Sequence, residues 1–271
     1  TVVVISPLNN KQSTEKLRHS HEYRNTRKSL YVSFKCTWAP AFLLLECKAV
    51  KPNMNARAHV FELSVEGRQI EEVVGSLFHT LLLHRTLGKF HYKQEGSYSI
   101  GTVGLVDEDC DFIDFTYVRV ASDALNVQVK KEIGVFRDTL RNMLTPHSGQ
   151  ISLEFYERKR ARWPFQAECI PWEVWTVKLD VHTLSNEHDR QIYRDRLGEI
   201  LTEKVMYIAD IMNRHEYVPK TPNQVELDLI FDTNFWDVQP YLYKISHQST
   251  GPSSSSVGTT MRKFIKDTLA L

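Results

Sequence analysis

The sequence of 271 residues predicts an α+β fold. Three observations favour that class. Short segments in which apolar and polar residues alternate predict strands, and longer segments with apolar residues at three- and four-residue steps predict helices. The two kinds of segment follow one another without the strict alternation of a doubly wound fold. The length and the 42% hydrophobic content are sufficient for one large core.

The first strand and the first helix have the clearest patterns. Phe61, Leu63 and Val65 alternate with polar residues, as in a strand that buries one face. The helix that follows is predicted to end near Gly88. Its apolar positions are Ile70, Val73, Val74, Leu77, Phe78, Leu81 and Leu82.

The next elements are two strands and a second helix. We predict strands over residues 98–103 and 112–120, joined by an acidic turn at residues 107–109. Ser122 is a suitable N-cap for the helix, which Pro146 and Gly149 should end. The apolar positions of this helix are Leu125, Val129, Ile133, Phe136, Leu140 and Met143.

In the second half of the domain, the residue pattern predicts two strands, a long helix and a last strand. The strands cover residues 151–157 and 172–179, with a basic and aromatic loop between them. The long helix runs from about residue 187 to residue 213, and a strand returns at residues 241–246. The mixed order of strands and helices supports α+β as the fold class.

Residues 1–53 differ from the rest in charge. They have a net charge of +6, whereas residues 54–271 have a net charge of −5. No helical or strand period persists in residues 1–53, which favours a disordered N-terminal extension. Two other interpretations are a basic arm that binds acidic lipid or a partner, and a mis-assigned upstream segment, because regular patterning starts at Met54.

Composition argues against several classes of function. A net charge of +1 disfavours a nucleic-acid-binding surface. The longest apolar block, residues 41–45, is too short to span a bilayer, so a cytoplasmic chain is expected.

His79 and His84 lie five positions apart and do not form an i, i+4 ligand pair. The acidic cluster at residues 107–111 lacks the glycine and distal glutamate of a calcium loop. Cys110 and Cys169 have no implied catalytic partner. We therefore predict no enzyme activity, no cofactor and no metal.

The most informative segment is the loop with Trp163, Pro164 and Phe165, which follows a basic run at residues 158–162. Pro164 restricts the backbone between the two aromatic residues. Exposed aromatic side chains on such a loop are good anchors for a partner protein. Two alternatives remain open from composition: the rings could fold back as a satellite of the core, or they could contact a membrane surface together with the basic residues.

Long blocks of the sequence resemble the autophagy-related protein 101 family. They lie at residues 66–69, 84–92, 98–104, 110–119, 152–156, 162–165, 168–177, 212–217, 237–246 and 261–271. The resemblance runs from about Met54 to Leu271 and includes the intact Trp-Pro-Phe motif at Trp163, Pro164 and Phe165.

This resemblance implies a single HORMA domain over residues 54–271, with a mixed β-sheet backed by helices and no catalytic activity. It implies a heterodimer with the HORMA domain of autophagy-related protein 13 in the Unc-51-like kinase complex. In the family, the tryptophan and phenylalanine of the motif form a finger that recruits downstream autophagy factors; here these are Trp163 and Phe165, with Pro164 as the spacer. The class III phosphatidylinositol 3-kinase complex is an implied downstream contact, and the phagophore assembly site is the implied location.

The resemblance also indicates the long helix as a partner surface, because HORMA pairs commonly use it. Leu197, Leu201 and Ile208 lie on its main apolar arc and should cover the sheet. Ile192 and Met206 lie off that arc, so we expect them, together with Tyr193, to face a partner. The alternative function is a peripheral membrane-surface module that uses the basic and aromatic loop.

Overall fold

The computed structural model describes residues 56–94, 97–142, 147–160, 168–214 and 217–250. Within them, the α-helices are α1 (Ile70–His84), α2 (Asp123–Arg141) and α3 (Glu187–Met212), and a 3₁₀ helix spans Gln224–Leu229. The strands are β1 (Arg57–Glu66), β2 (Thr86–Gly88), β3 (Phe90–Gln94), β4 (Ser97–Ile100), β5 (Leu105–Asp109), β6 (Thr116–Val120), β7 (His147–Lys159), β8 (Glu168–His182), β9 (Val238–Pro240) and β10 (Tyr243–Thr250). The predicted N-terminal extension, residues 1–53, and the family-like block at residues 261–271 lie outside the described residues.

A mixed four-stranded sheet forms the centre of the fold, in the order β1-β8-β7-β10. β1 pairs with β8 in parallel, whereas β7 is antiparallel to both β8 and β10. The described residues also form three two-stranded ladders: β2 with β9, β3 with β4, and β5 with β6. The predicted α+β class, with a mixed sheet and helices, is confirmed.

The core lies between one face of this sheet and the three helices. α1 contacts α2, α3 and β6, so it is covered on nearly all sides. The sheet contributes alternate residues of β7 and β8 to the core, and the opposite face is polar, with Ser152 and Thr176 hydrogen-bonded at 2.8 Å. On the core face the buried apolar residues are Ile151, Leu153 and Phe155 of β7, Trp175, Val177 and Leu179 of β8, and Phe61, Leu63 and Val65 of β1. Each such side chain contributes about 1.5–3 kcal/mol through burial.

Helix α3 runs antiparallel to β1 along one side of the sheet. The Asn186 side chain accepts a hydrogen bond from the His188 backbone and caps the helix. Near this end, Arg190 pairs with the buried Glu66 at 3.2 Å. Near the other end, Tyr207 packs edge-on against Phe61. α3 also contacts α1, and its exposed residues lie on the side that faces neither α1 nor β1.

Several predicted elements are confirmed and others need correction. α1, α2 and α3 lie where the periodicity predicts them, and Ser122 caps α2 by accepting from the Leu125 backbone. The acidic turn was wrong, because residues 107–109 lie in β5 and pair with β6. Glu108 is accommodated there by Arg119 at 2.8 Å and Lys130 at 3.0 Å.

The other corrections concern element boundaries and short strands. α1 ends at His84, because β2 begins two residues later and pairs with β9. Gly149 does not end α2; it lies in β7, where a Cβ atom would come within 2.7 Å of Leu140. Tyr241 forms an isolated bridge with Phe231, and the last strand begins at Tyr243.

Candidate protein-interaction surfaces

Strands β7 and β8 continue beyond their neighbours as a two-stranded ribbon. β1 begins opposite Glu173, and β10 begins opposite Phe155. The β7–β8 pairing nevertheless continues from Tyr156 to Lys159, which is opposite Glu168. We call residues 156–159 and 168–171 the β7–β8 ribbon. Four further residues extend a strand by about 13 Å, so the ribbon reaches that far past the first paired residues of β1 and β10.

Two contacts connect the ribbon with the rest of the domain, one at Glu157 and one at Arg160, the residue that follows the end of β7. The Tyr217 hydroxyl lies 3.4 Å from Glu157 Oε2, and its ring packs edge-on against Trp172. Arg160 Nη2 donates a hydrogen bond to the Val225 carbonyl at 3.0 Å, which connects the ribbon with the 3₁₀ helix. These contacts hold the described end of β7 against the 3₁₀ helix and the segment around Tyr217.

The ribbon is positively charged at its outer end. Arg158, Lys159 and Arg160 are all exposed. The Arg158 guanidinium lies 6.0 Å from the centre of the Tyr156 ring, a distance at which a cation and a ring attract each other. Val225, beside Arg160, is 76% exposed. The surface around the tip therefore combines cationic and apolar groups.

The predicted finger residues Trp163, Pro164 and Phe165 lie outside the described residues. Their exposure stays a prediction.

Two of the three predicted partner-facing residues on α3 lie on its outer surface. Ile192 is 54% exposed and Met206 is 55% exposed. They are fourteen positions apart on one side of the helix, a distance of about 21 Å. The exposed residues between them are mostly charged or polar: Asp195, Arg196, Glu199, Thr202 and Glu203. The outer face of α3 is thus a polar surface with one apolar side chain towards each end.

Tyr193, the third predicted residue, is half-buried and faces β1. Its hydroxyl donates a hydrogen bond to the Ser64 carbonyl, and its ring packs edge-on against His182 at 4.9 Å. Most of its surface is therefore already in contact with its own domain. Contact between these α3 residues and a partner stays a prediction.

Sequence reasoning missed Tyr207, which joins α3 to β1. Its hydroxyl lies 3.2 Å from His59 Nδ1, and its ring packs edge-on against His59, Phe61 and Trp175. The His59 ring is in turn stacked on Trp175 at 4.1 Å. Tyr207 is fourteen residues after Tyr193, so the helical period places both tyrosines on the same side of α3. That spacing was the signal for its contact with β1.

Two buried titratable side chains, Cys110 and His79, are kept in their uncharged forms. Burial, followed by the negative charge of Glu72 and of neighbouring acids, raises the pKa of the Cys110 thiol to about 12. Burial, followed by the positive charges of Arg119 and Lys130, lowers the pKa of His79 to about 4. At neutral pH, Cys110 is therefore a thiol and His79 is uncharged. Among the described residues, no group of three or more His, Cys, Asp or Glu side chains is placed to hold a metal ion.

In the part of the chain that the structure describes, no helix is both long enough and apolar enough to cross a bilayer.

Comparisons with known proteins identify one family. A family model described as Autophagy-related protein 101 matches residues 62–225. A Bos taurus protein of that name is 62% identical over 218 residues, which are 80% of this chain and 100% of the relative. The Homo sapiens protein of that name is 61% identical with the same coverage. The Arabidopsis thaliana protein is 30% identical over 125 residues, 44% of this chain and 50% of the relative.

Proposed function

Because the chain belongs to the autophagy-related protein 101 family, we propose that it acts as a non-catalytic adaptor among the factors that initiate autophagy. Membership of the family implies the role of an autophagy initiation factor. The proposal adds that one surface holds a constitutive partner and that a second surface recruits a downstream factor.

The proposed constitutive partner is the HORMA domain of autophagy-related protein 13, within the Unc-51-like kinase complex. We assign this contact to the outer face of α3, where Ile192 and Met206 are exposed. The two apolar side chains can be buried against a partner. The charged residues between them can fix the position of the partner along the helix. The proposed location is the cytoplasm, at the phagophore assembly site.

The proposed recruiting surface is the tip of the β7–β8 ribbon, with Trp163 and Phe165 as its anchors. The single observation that carries this assignment is the ribbon itself: β7 and β8 continue to pair where β1 and β10 have ended. We therefore expect the segment that joins the two strands of the ribbon to present its side chains to a partner. Each aromatic side chain can bury about 150–250 Å² in a partner. The class III phosphatidylinositol 3-kinase complex is a proposed downstream contact.

Affinity purification from cells tests the recruiting surface. The full chain and the double variant Trp163→Ala/Phe165→Ala are compared by mass spectrometry. We expect both to retain autophagy-related protein 13, and we expect only the unmodified chain to retain downstream factors. Trp236→Ala is the matched control, because Trp236 is 83% exposed but belongs to the segment before β9. Equal recovery of downstream factors by the double variant would contradict the assignment.

A second candidate function is binding to an anionic membrane surface. The exposed Arg158, Lys159 and Arg160 favour it, since basic residues beside aromatic anchors bind anionic lipid. Sedimentation of the purified chain with phosphatidylserine vesicles, without any protein partner, discriminates the two functions. An adaptor should remain in the supernatant, whereas a membrane module should sediment and should be released by Arg158→Glu/Arg160→Glu.

A further inference from the structure

The backbone of β1 has one side that does not face β8. The Glu66 N–H donates to Gln69 Oε1 at 3.0 Å, and the Glu66 carbonyl accepts from the Gln69 N–H at 2.9 Å. The Ser64 carbonyl accepts from the Tyr193 hydroxyl. The N–H and C=O of one strand residue point to the same side, and successive residues alternate. The even-numbered residues of β1 therefore point their backbone groups away from β8.

The same alternation applies to Ala58, Val60 and Glu62, at the other end of the strand. Among the strands that the structure describes, β1 is an edge strand that pairs with β8 alone. Among the described residues, no hydrogen bond reaches the outward N–H and C=O groups of these three residues. Within the described part of the chain, the edge is thus closed by Gln69 and Tyr193 at one end and open at the outward backbone groups of Ala58, Val60 and Glu62. An open edge is a template for another strand.

A cavity of about 380 Å³ lies directly beside this open edge. It is lined by His59, Val60, Phe61, Glu203, Lys204 and Tyr207. The rings of Phe61 and Tyr207 give it an apolar wall, and Val60, on the edge itself, is 52% exposed. Side chains of an added strand alternate between the two faces of the sheet. Those on the helical face would enter this cavity.

We propose that β1 binds an extended segment of a partner protein as an added strand, which pairs with residues 58–62 and inserts an apolar side chain into the cavity between β1 and α3. The backbone groups provide affinity for any extended segment, and the cavity provides selectivity for an apolar residue at one position. This site is separate from the tip of the β7–β8 ribbon and does not depend on the proposed role of Trp163 or Phe165.

A partner segment fits this edge better than either a second copy or another part of this chain. The open edge covers five residues, about 17 Å of strand. The surface that one added strand of this length buries is smaller than the roughly 1,200 Å² that a stable dimer buries. Residues 251–271 follow β10, which lies at the opposite edge of the sheet. The Bos taurus and Homo sapiens relatives align over their whole length with 218 residues, which are 80% of this chain. The remaining fifth is therefore not needed to complete the fold that the family shares.

The substitution Val60→Pro isolates the open edge. Proline removes the N–H that points away from β8 and leaves the β1–β8 hydrogen bonds in place. Val60→Thr is the matched control, because it keeps the N–H and the β-branched shape. The probe is a phage-displayed library of random short peptides, selected against the full-length chain. We expect recovered peptides to bind the unmodified chain and Val60→Thr equally, and to bind Val60→Pro at least about tenfold more weakly.

Amide hydrogen exchange gives a readout that does not depend on how Val60→Pro folds. In the full-length chain alone, the amides of Val60 and Glu62 should exchange much faster than that of Phe61, and a bound peptide should slow them. The proposal is overturned if no peptide is enriched or if Val60→Pro binds the peptides as well as Val60→Thr does. It is also overturned if Val60 and Glu62 are already as protected as Phe61, since the chain would then cover its own edge. Concentration-dependent self-association that Val60→Pro abolishes would assign the edge to a second copy instead.

Discussion

Arg85 and Glu173 form a buried ion pair, with Arg85 Nη2 2.8 Å from Glu173 Oε2. The same oxygen accepts a hydrogen bond from Arg57 Nη2 at 2.9 Å, and Glu173 Oε1 accepts from Trp175 Nε1 at 2.7 Å. The Arg85 guanidinium also lies 5.5 Å from the centre of the Trp172 ring. One carboxylate thus joins the end of α1 to β1 and β8, just below the β7–β8 ribbon.

Glu173→Gln should destabilise the domain by about 3–5 kcal/mol, because it leaves the buried Arg85 without its counter-charge. The side chains of Arg85 and Glu173 are 6% and 1% exposed, so water cannot solvate the unpaired guanidinium. Urea unfolding followed by circular dichroism measures the change. The control is Glu62→Gln, which removes an exposed carboxylate paired with Lys178 and should leave the midpoint unchanged. A similar midpoint for both variants would show that the buried pair does not stabilise the domain.

The sequence could not predict this ion pair, although it predicted the elements that it joins. Arg57 and Arg85 are 116 and 88 positions from Glu173, and no local pattern relates residues at such distances. The helices were predictable because their apolar residues repeat every three or four positions. The first strand was predictable because Phe61, Leu63 and Val65 alternate with polar residues, and all three are buried.

The short strands were missed for a different physical reason. β9 has three residues, too few to show an alternation. β5 includes residues 107–109, whose charges resemble a turn, and its strand conformation depends on pairing with β6 and on the contacts of Glu108 with Arg119 and Lys130. The β7–β8 ribbon was predicted as two strands and a loop, but its extension past β1 and β10 depends on strand register. A single sequence does not encode register in a local pattern.

A charge on the outer face of α3 should weaken the proposed heterodimer. Ile192→Glu places a carboxylate where we expect an apolar contact, and an unpaired buried charge strongly opposes association. We expect co-purification with the HORMA domain of autophagy-related protein 13 to fall at least about tenfold. Val127→Glu is the matched control, because Val127 is an exposed apolar residue on α2. Unchanged co-purification of Ile192→Glu would remove Ile192 from the partner surface.

Two glycine substitutions should change stability in opposite directions. A Cβ atom on Gly198 in α3 would lie 2.3 Å from the Asp114 carbonyl oxygen, so Gly198→Ala must displace the helix or the 110–115 loop, at a cost of about 1–3 kcal/mol. A Cβ atom on Gly134 in α2 meets nothing within 4 Å. Gly134→Ala should therefore stabilise the domain by about 0.5–1 kcal/mol. Thermal unfolding of both variants measures the effects, and a stabilised Gly198→Ala would contradict the observed packing of α3.

Stability should fall as the pH decreases from 6.5 to 4, partly because of His79. Burial lowers the pKa of His79 to about 4, so between these values the unfolded chain binds a proton at this position and the folded chain does not. The contribution of His79 to the free energy of unfolding is fully present above pH 6.5. It decreases by about 3 kcal/mol as the pH falls to 4. Urea unfolding at several pH values should give a smaller pH dependence for His79→Gln than for the unmodified chain. The exposed His91 provides the control, His91→Gln; equal pH dependence in all three proteins would refute the assignment.

The central claim is that Trp163 and Phe165 project from the ribbon as anchors and are not part of the core. The melting temperature of Trp163→Ala/Phe165→Ala tests it most directly, with Trp172→Ala as the control for loss of a buried indole. The account predicts a melting temperature within about 1 °C of the unmodified chain for the double variant, and a clear decrease for Trp172→Ala. A decrease of more than about 5 °C in the double variant, as expected when buried aromatic side chains are removed, would place the two rings in the core and contradict the account.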